Sequence, residues 1–200
     1  FIRIIREDRD GLLWILTQKD IYSFDKKKEK FSRFATDSLS YYPPTTLFVP
    51  DDQSYAEDKL GNKWFVTFRG LYLYNKQEES FRMVLPDRVN NELKGIYKVR
   101  SVCTDKNGTL WIGTDGEGLL SWNYFKNKPE KIKIEPSGKY RDSYRSVSTI
   151  LSDKNGSVWC FGNGSFSNYN PESGNVKNYI FINKYRSLYE APGSEIWIDQ

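Results

Sequence analysis

The chain has 200 residues, of which 38% are hydrophobic and 28% charged, and its 30 basic and 26 acidic residues leave a formal net charge of +4. Lysine and arginine are interspersed with acidic residues and do not form the basic face of a nucleic-acid binder, and no apolar run is long enough to cross a bilayer. Histidine is absent, which excludes a Ser-His-Asp triad, a Cys-His pair and a His-ligated zinc site within this segment. We therefore predict no nucleic-acid partner, membrane contact, catalytic residue, metal or cofactor for it.

A tryptophan marks each of five successive units along the chain, at Trp14, Trp64, Trp111, Trp159 and Trp197. Six residues before each of the first four tryptophans stands an aspartate: Asp8, Asp58, Asp105 and Asp153. Three residues before the same tryptophans stands a glycine: Gly11, Gly61, Gly108 and Gly156. Asp-x-x-Gly is typical of a tight turn, because the aspartate side chain hydrogen-bonds nearby backbone and glycine adopts positive φ. Each unit is predicted to run from a first strand through this turn into an antiparallel Trp strand.

Two further apolar segments follow each Trp strand in the first four units and predict a third and a fourth strand. The third-strand segments are 21–24, 71–74, 119–122 and 166–169. The Trp strands are apolar at consecutive positions, as in 12–16 and 110–112, so both faces of each sheet must be covered. Sheets stacked radially against their neighbours meet this requirement, which predicts an all-β fold, a β-propeller segment of four-stranded antiparallel blades.

The domain organisation predicted from these units is a single propeller segment over residues 1–200. It holds four full blades and the first half of a fifth, at about 1–34, 53–86, 98–135, 146–180 and 185–200, with a long inter-blade connection at 35–52. The chain opens on Phe1 in strand-like sequence, so we expect a piece cut from a longer protein or a proteolytically processed chain. The apolar faces of terminal blades then predict self-association, or pairing with the remaining blades of a parent chain.

The third unit, residues 104–114 followed by Gly118 and Leu119, resembles the two-component regulator propeller repeat. In that family such repeats form the extracytoplasmic sensor region of hybrid two-component receptors of Bacteroidetes. The resemblance implies a periplasmic location within an inner-membrane receptor, a carbohydrate ligand and transmission of a conformational signal. It also implies that this segment is not an enzyme and that histidine kinase activity lies elsewhere in the full-length protein.

Two other classes of function stay open from the residues alone. One is a carbohydrate-active propeller enzyme of lyase or glycosidase type, which the absence of histidine disfavours but which paired acids could still serve. The other is a scaffold for protein contacts. Binding and hydrolysis assays with oligosaccharides would separate the three classes.

A periodic polar position suggests a binding site. Five residues before each turn aspartate, or its equivalent, stand Arg3, Gln53, Arg100, Ser148 and Arg186. This position begins the first strand, which lies innermost in a propeller, beside the central channel. A ring rich in arginine would attract acidic ligands and bind them bidentately. The alternative is that channel water simply solvates these side chains.

Aromatic and basic residues predict further ligand contacts on the same face. The segments that enter the first strands share this face with the turns between second and third strands. Connections as long as 35–52 are uncommon unless functional or disordered. The candidates for stacking on sugar rings are Tyr41, Tyr42, Arg69, Tyr97, Tyr144 and Arg145. The alternative is packing over the adjacent blade.

Two smaller features complete the sequence-based predictions. Cys103 and Cys160 stand at different positions of different units, which favours two buried free thiols over a disulfide. Asp115 and Glu117 lie in a Gly-rich turn, where we expect both carboxylates to be solvated and ionised.

Overall fold

The computed structural model describes residues 2–17, 20–34, 54–67, 70–86, 98–124, 128–134, 144–162, 165–180, 187–190 and 196–199. These ranges form 18 β-strands, and no α-helix occurs within them. Nor does any of the described chain form a helix that could span a membrane. Consecutive strands form four four-stranded antiparallel sheets and one two-stranded sheet. The predicted all-β propeller fold is thereby confirmed.

The blades are numbered in chain order. Blade 1 contains β1 (Ile2–Glu7), β2 (Leu12–Thr17), β3 (Ile21–Asp25) and β4 (Lys30–Phe34). Blade 2 contains β5 (Tyr55–Glu57), β6 (Lys63–Thr67), β7 (Gly70–Asn75) and β8 (Ser80–Pro86). Blade 3 contains β9 (Val99–Thr104), β10 (Leu110–Thr114), β11 (Leu119–Trp122) and β12 (Glu130–Ile132). Blade 4 contains β13 (Thr149–Ser152), β14 (Val158–Gly162), β15 (Ser165–Tyr169) and β16 (Val176–Ile180), and β17 (Ser187–Glu190) pairs with β18 (Ile196–Asp199).

The turn and the tryptophan of each unit lie where the sequence predicts them. In the four complete blades the turn glycine donates its N–H to the aspartate carbonyl oxygen at 3.0 to 3.1 Å, with φ between 80° and 89°. Only glycine adopts such a backbone conformation without strain. The tryptophans lie on the second strands β2, β6, β10 and β14, and Trp197 lies on β18.

The turn aspartates also bind the tryptophans, a contact that the sequence analysis missed. In blades 1, 3 and 4 the aspartate Oδ2 accepts a hydrogen bond from the indole Nε1 at 2.8, 3.0 and 2.6 Å. In blade 2 the amide of Asn62 donates to Asp58 Oδ2 at 2.9 Å instead. The buried Nε1 of Trp64 is left without a hydrogen-bond partner among the described residues.

Three apolar clusters join consecutive blades. In each cluster the tryptophan of one blade packs against strands of the next. Trp14 shares its cluster with Phe65, Trp64 with Ile112 and Trp111 with Ile150. Trp14 and Phe65 lie with their ring centroids 5.2 Å apart. Burying each such side chain stabilises the fold by about 3 kcal/mol, so the blade interfaces form the core.

The first strands form the inner edge of the blades, as predicted. Each lies at one end of its sheet, and β5 contacts β9, β9 contacts β13, and β13 contacts β17. Close approach near this edge requires glycine. A Cβ on Gly113 would lie 2.7 Å from the carbonyl oxygen of Val147 in the segment before blade 4.

A buried ion pair joins blades 1 and 2. Lys63, which directly precedes Trp64, is 2% exposed, and its ammonium lies 3.2 Å from Oδ2 of Asp8, whose side chain is 1% exposed. The ammonium also lies 5.9 Å from the centroid of the Trp14 ring. Burial raises the pKa of Asp8, but hydrogen bonds from Trp14, the Leu12 amide and Lys63 outweigh it and hold that pKa below its ordinary value.

The face of blade 1 that points away from blade 2 is apolar. Ile5 and Phe31 are 50% and 61% exposed there, and Leu13, Ile15 and Phe24 are half-buried. Cross-strand pairing places Ile5 opposite Ile15, and Leu13 and Phe31 on either side of Phe24. The corresponding faces of blades 2, 3 and 4 each pack against a preceding blade.

Both cysteines are free thiols, as predicted. Cys160 is buried and Cys103 is half-buried, and both contact the apolar cluster between blades 3 and 4. Burial raises the pKa of Cys103 to about 12, so the thiol is protonated at neutral pH.

Candidate functional site

The β10–β11 turn, residues 115–118, lies between the first strand of its own blade and the segment that enters blade 4. The Asp115 amide donates to the carbonyl oxygen of Lys98 at 2.8 Å, and the Gly116 and Gly118 amides both donate to the carbonyl oxygen of Arg145 at 2.8 Å. At blades 3 and 4, the segments that precede the first strands therefore share a face with the turn between the second and third strands, as predicted. We call residues 98, 100, 115–118 and 145 the blade 3–4 rim.

Arg100 forms an ion pair at this rim. Its guanidinium lies 2.7 Å from Oδ2 of Asp115, and the ammonium of Lys98 lies 3.0 Å from the same oxygen. The Arg100 side chain is 11% exposed, Asp115 is 35% exposed and Lys98 is 50% exposed. Burial raises the pKa of Asp115, but hydrogen bonds from Arg100 and then Lys98 outweigh it, so the pKa lies below its ordinary value.

Positive charge predominates around the turn. Arg145 is exposed, and its Nε donates to the carbonyl oxygen of Gly116 at 3.0 Å. Lys131 on β12 lies 3.6 Å from the carboxylate of Glu117. Four cationic side chains thus surround the two carboxylates of the turn. Such an arrangement attracts anions and offers planar guanidinium groups to a carboxylate.

Of the predicted site residues, the structure brings Arg100 and Arg145 together at the rim and places Tyr144 elsewhere. Tyr144 is 1% exposed, and its hydroxyl donates to the Tyr179 carbonyl oxygen at 3.0 Å. Its ring is therefore in the packing arrangement that we gave as the alternative, and it is not open to a sugar. Ser148, at the position of Arg100 in blade 4, donates its hydroxyl to the Phe161 carbonyl oxygen.

The side chains of the other predicted site residues lie outside the described part of the structure. Arg3 lies in β1, but its side chain is outside the described part of the chain. Tyr41, Tyr42, Arg69, Tyr97 and Arg186, together with the connection at 35–52, lie outside the described residues.

The sequence analysis missed Lys98 and Asp115 as members of the rim. Asp115 was expected to be a solvated and ionised turn residue. It is ionised, since its pKa is lowered, but solvation is not the cause, because the side chain is ion-paired and about two-thirds buried. The register between β9 and β10 explains why Asp115 lies beside Lys98 and Arg100. Thr114, the last residue of β10, pairs with Val99 across an irregularity in β9. Asp115, which directly follows β10, therefore lies beside Lys98 and Arg100.

The comparisons with known proteins agree with this fold. The model of the Two component regulator propeller family matches residues 95–116, which include Lys98, Arg100 and Asp115. Among curated proteins, none matches the chain.

Solved structures show the same blade arrangement. An extracellular domain described as that of the hybrid two component system BT3049 from B. thetaiotaomicron superposes with a TM-score of 0.68 at 18% identity, over 99% of this chain and 27% of that one. The corresponding domain of the one component system BT4673 from the same organism gives 0.67 at 20% identity, over 98% and 27%. Catalytically inactive virginiamycin B lyase from Staphylococcus aureus, with a histidine replaced by alanine and with quinupristin, gives 0.68 at 14% identity, over 99% and 62%. At these identities the likeness shows the fold, and the chain spans about a quarter of the two extracellular domains.

Proposed function

We propose that this β-propeller segment, which carries a two component regulator propeller repeat, is a ligand-binding part of the extracellular sensor region of a hybrid two-component receptor. The family match and the two extracellular domains that share its fold support this proposal. The segment would then face the periplasm, and the kinase activity of the receptor would belong to other parts of the protein.

One observation carries the binding proposal, the cationic rim that spans two blades. Arg100 and Lys98 belong to blade 3, whereas Arg145 precedes blade 4, and all three lie around one turn. Guanidinium groups bind carboxylate and sulfate groups through paired hydrogen bonds. We therefore propose an acidic oligosaccharide as the ligand.

The rim also offers a route for a conformational signal. The carbonyl oxygen of Arg145 accepts hydrogen bonds from Gly116 and Gly118 across the blade interface. A ligand that binds Arg100 and Arg145 together would stabilise one arrangement of blades 3 and 4 over others. Slower hydrogen exchange of the Gly116 and Gly118 amides with ligand bound would support this mechanism, and unchanged exchange would count against it.

Calorimetric titration with trigalacturonate tests the binding site. Arg100→Ala should weaken binding about tenfold or more, because a charge-assisted hydrogen bond is lost. Lys27→Ala is the matched control, since Lys27 is an exposed cation in the distant β3–β4 turn. Equal effects of the two changes would contradict the proposed site.

An enzyme of the lyase type is the second candidate, since virginiamycin B lyase shares the fold. The inactive lyase lacks a histidine, and the present chain contains no histidine at any position. We therefore propose that the segment binds without turnover. Cleavage of an oligosaccharide by the purified chain, lost on a point substitution in it, would contradict that view.

We also propose that the apolar face of blade 1 is a packing surface. Its exposed Ile5 and Phe31 occupy the face that, in blades 2 to 4, packs against a preceding blade. In a longer protein another blade would cover this face. In the isolated chain, self-association would do so.

A further inference from the structure

We propose that Asp115 is an internal competitor of the ligand. In the free protein its carboxylate occupies the cations of Arg100 and Lys98, and a carboxylate of the incoming oligosaccharide displaces it. Asp115 would thereby determine the specificity of the rim, since a neutral sugar has no group that could take its place. This inference rests on the proposed function and concerns the same site.

The geometry of the ion pairs supports displacement. Both cations share one oxygen of Asp115, at 2.7 Å from Arg100 and 3.0 Å from Lys98. A ligand carboxylate has two oxygens and can give one to each cation. The exchange therefore replaces two hydrogen bonds on a single oxygen with two that are spread over both oxygens.

The turn can release the Asp115 side chain without losing its backbone anchors. The Asp115 amide stays bonded to the Lys98 carbonyl oxygen, and the Gly116 and Gly118 amides stay bonded to that of Arg145. The side chain is 35% exposed, so rotation toward solvent hydrates its carboxylate, and the ligand carboxylate replaces it in the ion pairs with Arg100 and Lys98. The low pKa of Asp115 means that the competitor carries its full charge at neutral pH.

The positive charge around the turn favours the binding of a second carboxylate. Lys98, Arg100, Lys131 and Arg145 outnumber the two acids of the turn. Removal of the Asp115 charge raises the positive potential where the ligand carboxylate binds. Two charges about 4 Å apart near a protein surface interact strongly enough to change affinity by about tenfold or more.

Titration calorimetry of the full chain at low ionic strength tests the inference, with trigalacturonate as the acidic probe and galactotriose as the neutral one. Asp115→Asn should bind trigalacturonate about tenfold more tightly than the unmodified chain. Glu130→Gln is the control, because it removes one exposed negative charge from the same blade but outside the rim, and its effect should stay within about twofold. Asp115→Ser is a second variant with the same expected gain, and thermal unfolding checks that each variant is folded.

The possible outcomes separate the two proposals. If the unmodified chain binds trigalacturonate and folded Asp115→Asn and Asp115→Ser bind it no better, displacement is refuted while the ligand site stands. Equal gains in Asp115→Asn and Glu130→Gln would show that the effect is general electrostatics and would also refute displacement. If the unmodified chain and all variants fail to bind trigalacturonate at millimolar concentration, the proposal of an acidic ligand is refuted, and the inference that rests on it is refuted too.

Discussion

Replacing Lys63 with leucine should destabilise the protein strongly, although leucine or valine stands directly before the tryptophan in the other complete blades. Both members of the Lys63–Asp8 pair are almost fully buried, at 2% and 1% exposure. Removing one partner leaves the other charge buried without its counter-ion, which typically costs about 3–5 kcal/mol of stability. Asp8 keeps its hydrogen bonds from Trp14 and Leu12, so we expect about 3 kcal/mol, near the lower end.

Urea unfolding followed by tryptophan fluorescence measures this cost. Lys76→Leu is the control, because Lys76 lies 2.7 Å from Asp10 at 46% exposure, and water screens an exposed pair of this kind, so its loss should change the stability little. The double variant Asp8→Asn with Lys63→Leu should lose less than the sum of the two single losses, by about 2 kcal/mol. A Lys63→Leu loss of no more than about 0.5 kcal/mol, well below the expected range, would refute the reasoning.

The pH dependence gives an independent check. The pKa of Asp8 is lowered by folding from its ordinary value of 3.8, so its ionisation stabilises the native state above that pH. This stabilisation is lost as the pH falls through the native pKa. Lys63→Leu removes part of it, so the stability gap between variant and unmodified protein should narrow below pH 3.8.

Three further predictions concern packing. Gly113→Ala should cost about 1–3 kcal/mol in chemical unfolding, since its Cβ would clash with backbone; an unchanged midpoint would contradict the close approach. Trp111→Phe should cost about 1 kcal/mol more than Trp64→Phe, because only Trp111 loses a hydrogen bond, to Asp105; equal unfolding midpoints would show that this bond is unimportant. The isolated chain should self-associate in light scattering, and Phe31→Lys should reduce this association; a monodisperse monomer would count against the apolar face as a packing surface.

The repeat was predictable because its signals are local. Asp8, Gly11 and Trp14 lie within one hairpin, so their spacing in the sequence is the spacing of one turn and one strand. The same holds at the ends of third strands, where Asp25, Asn75 and Asn170 each accept hydrogen bonds from two backbone amides of the turn that follows.

Contacts between blades could not be predicted in this way. Lys63 and Asp8 form an ion pair although 55 residues separate them in sequence, and neither repeat unit alone specifies this contact. The rim shows the same limit, since Arg145 reaches the turn at Gly116 from the next blade. The sequence also did not predict which loop side chains are exposed. Tyr144 is buried, because a tyrosine on a predicted loop can pack inward as readily as it can face a ligand.

The three apolar clusters have a consequence for how the chain acquires its structure. Each cluster draws only on two blades that are adjacent in sequence. Blades 1, 2 and 3 bury their tryptophans against the blade that follows in sequence, so each newly synthesised unit can dock on the one before it. Structure could then spread along the chain in the order in which it is made, and the uncovered faces at any moment would be those of the most recent unit and the outer face of blade 1.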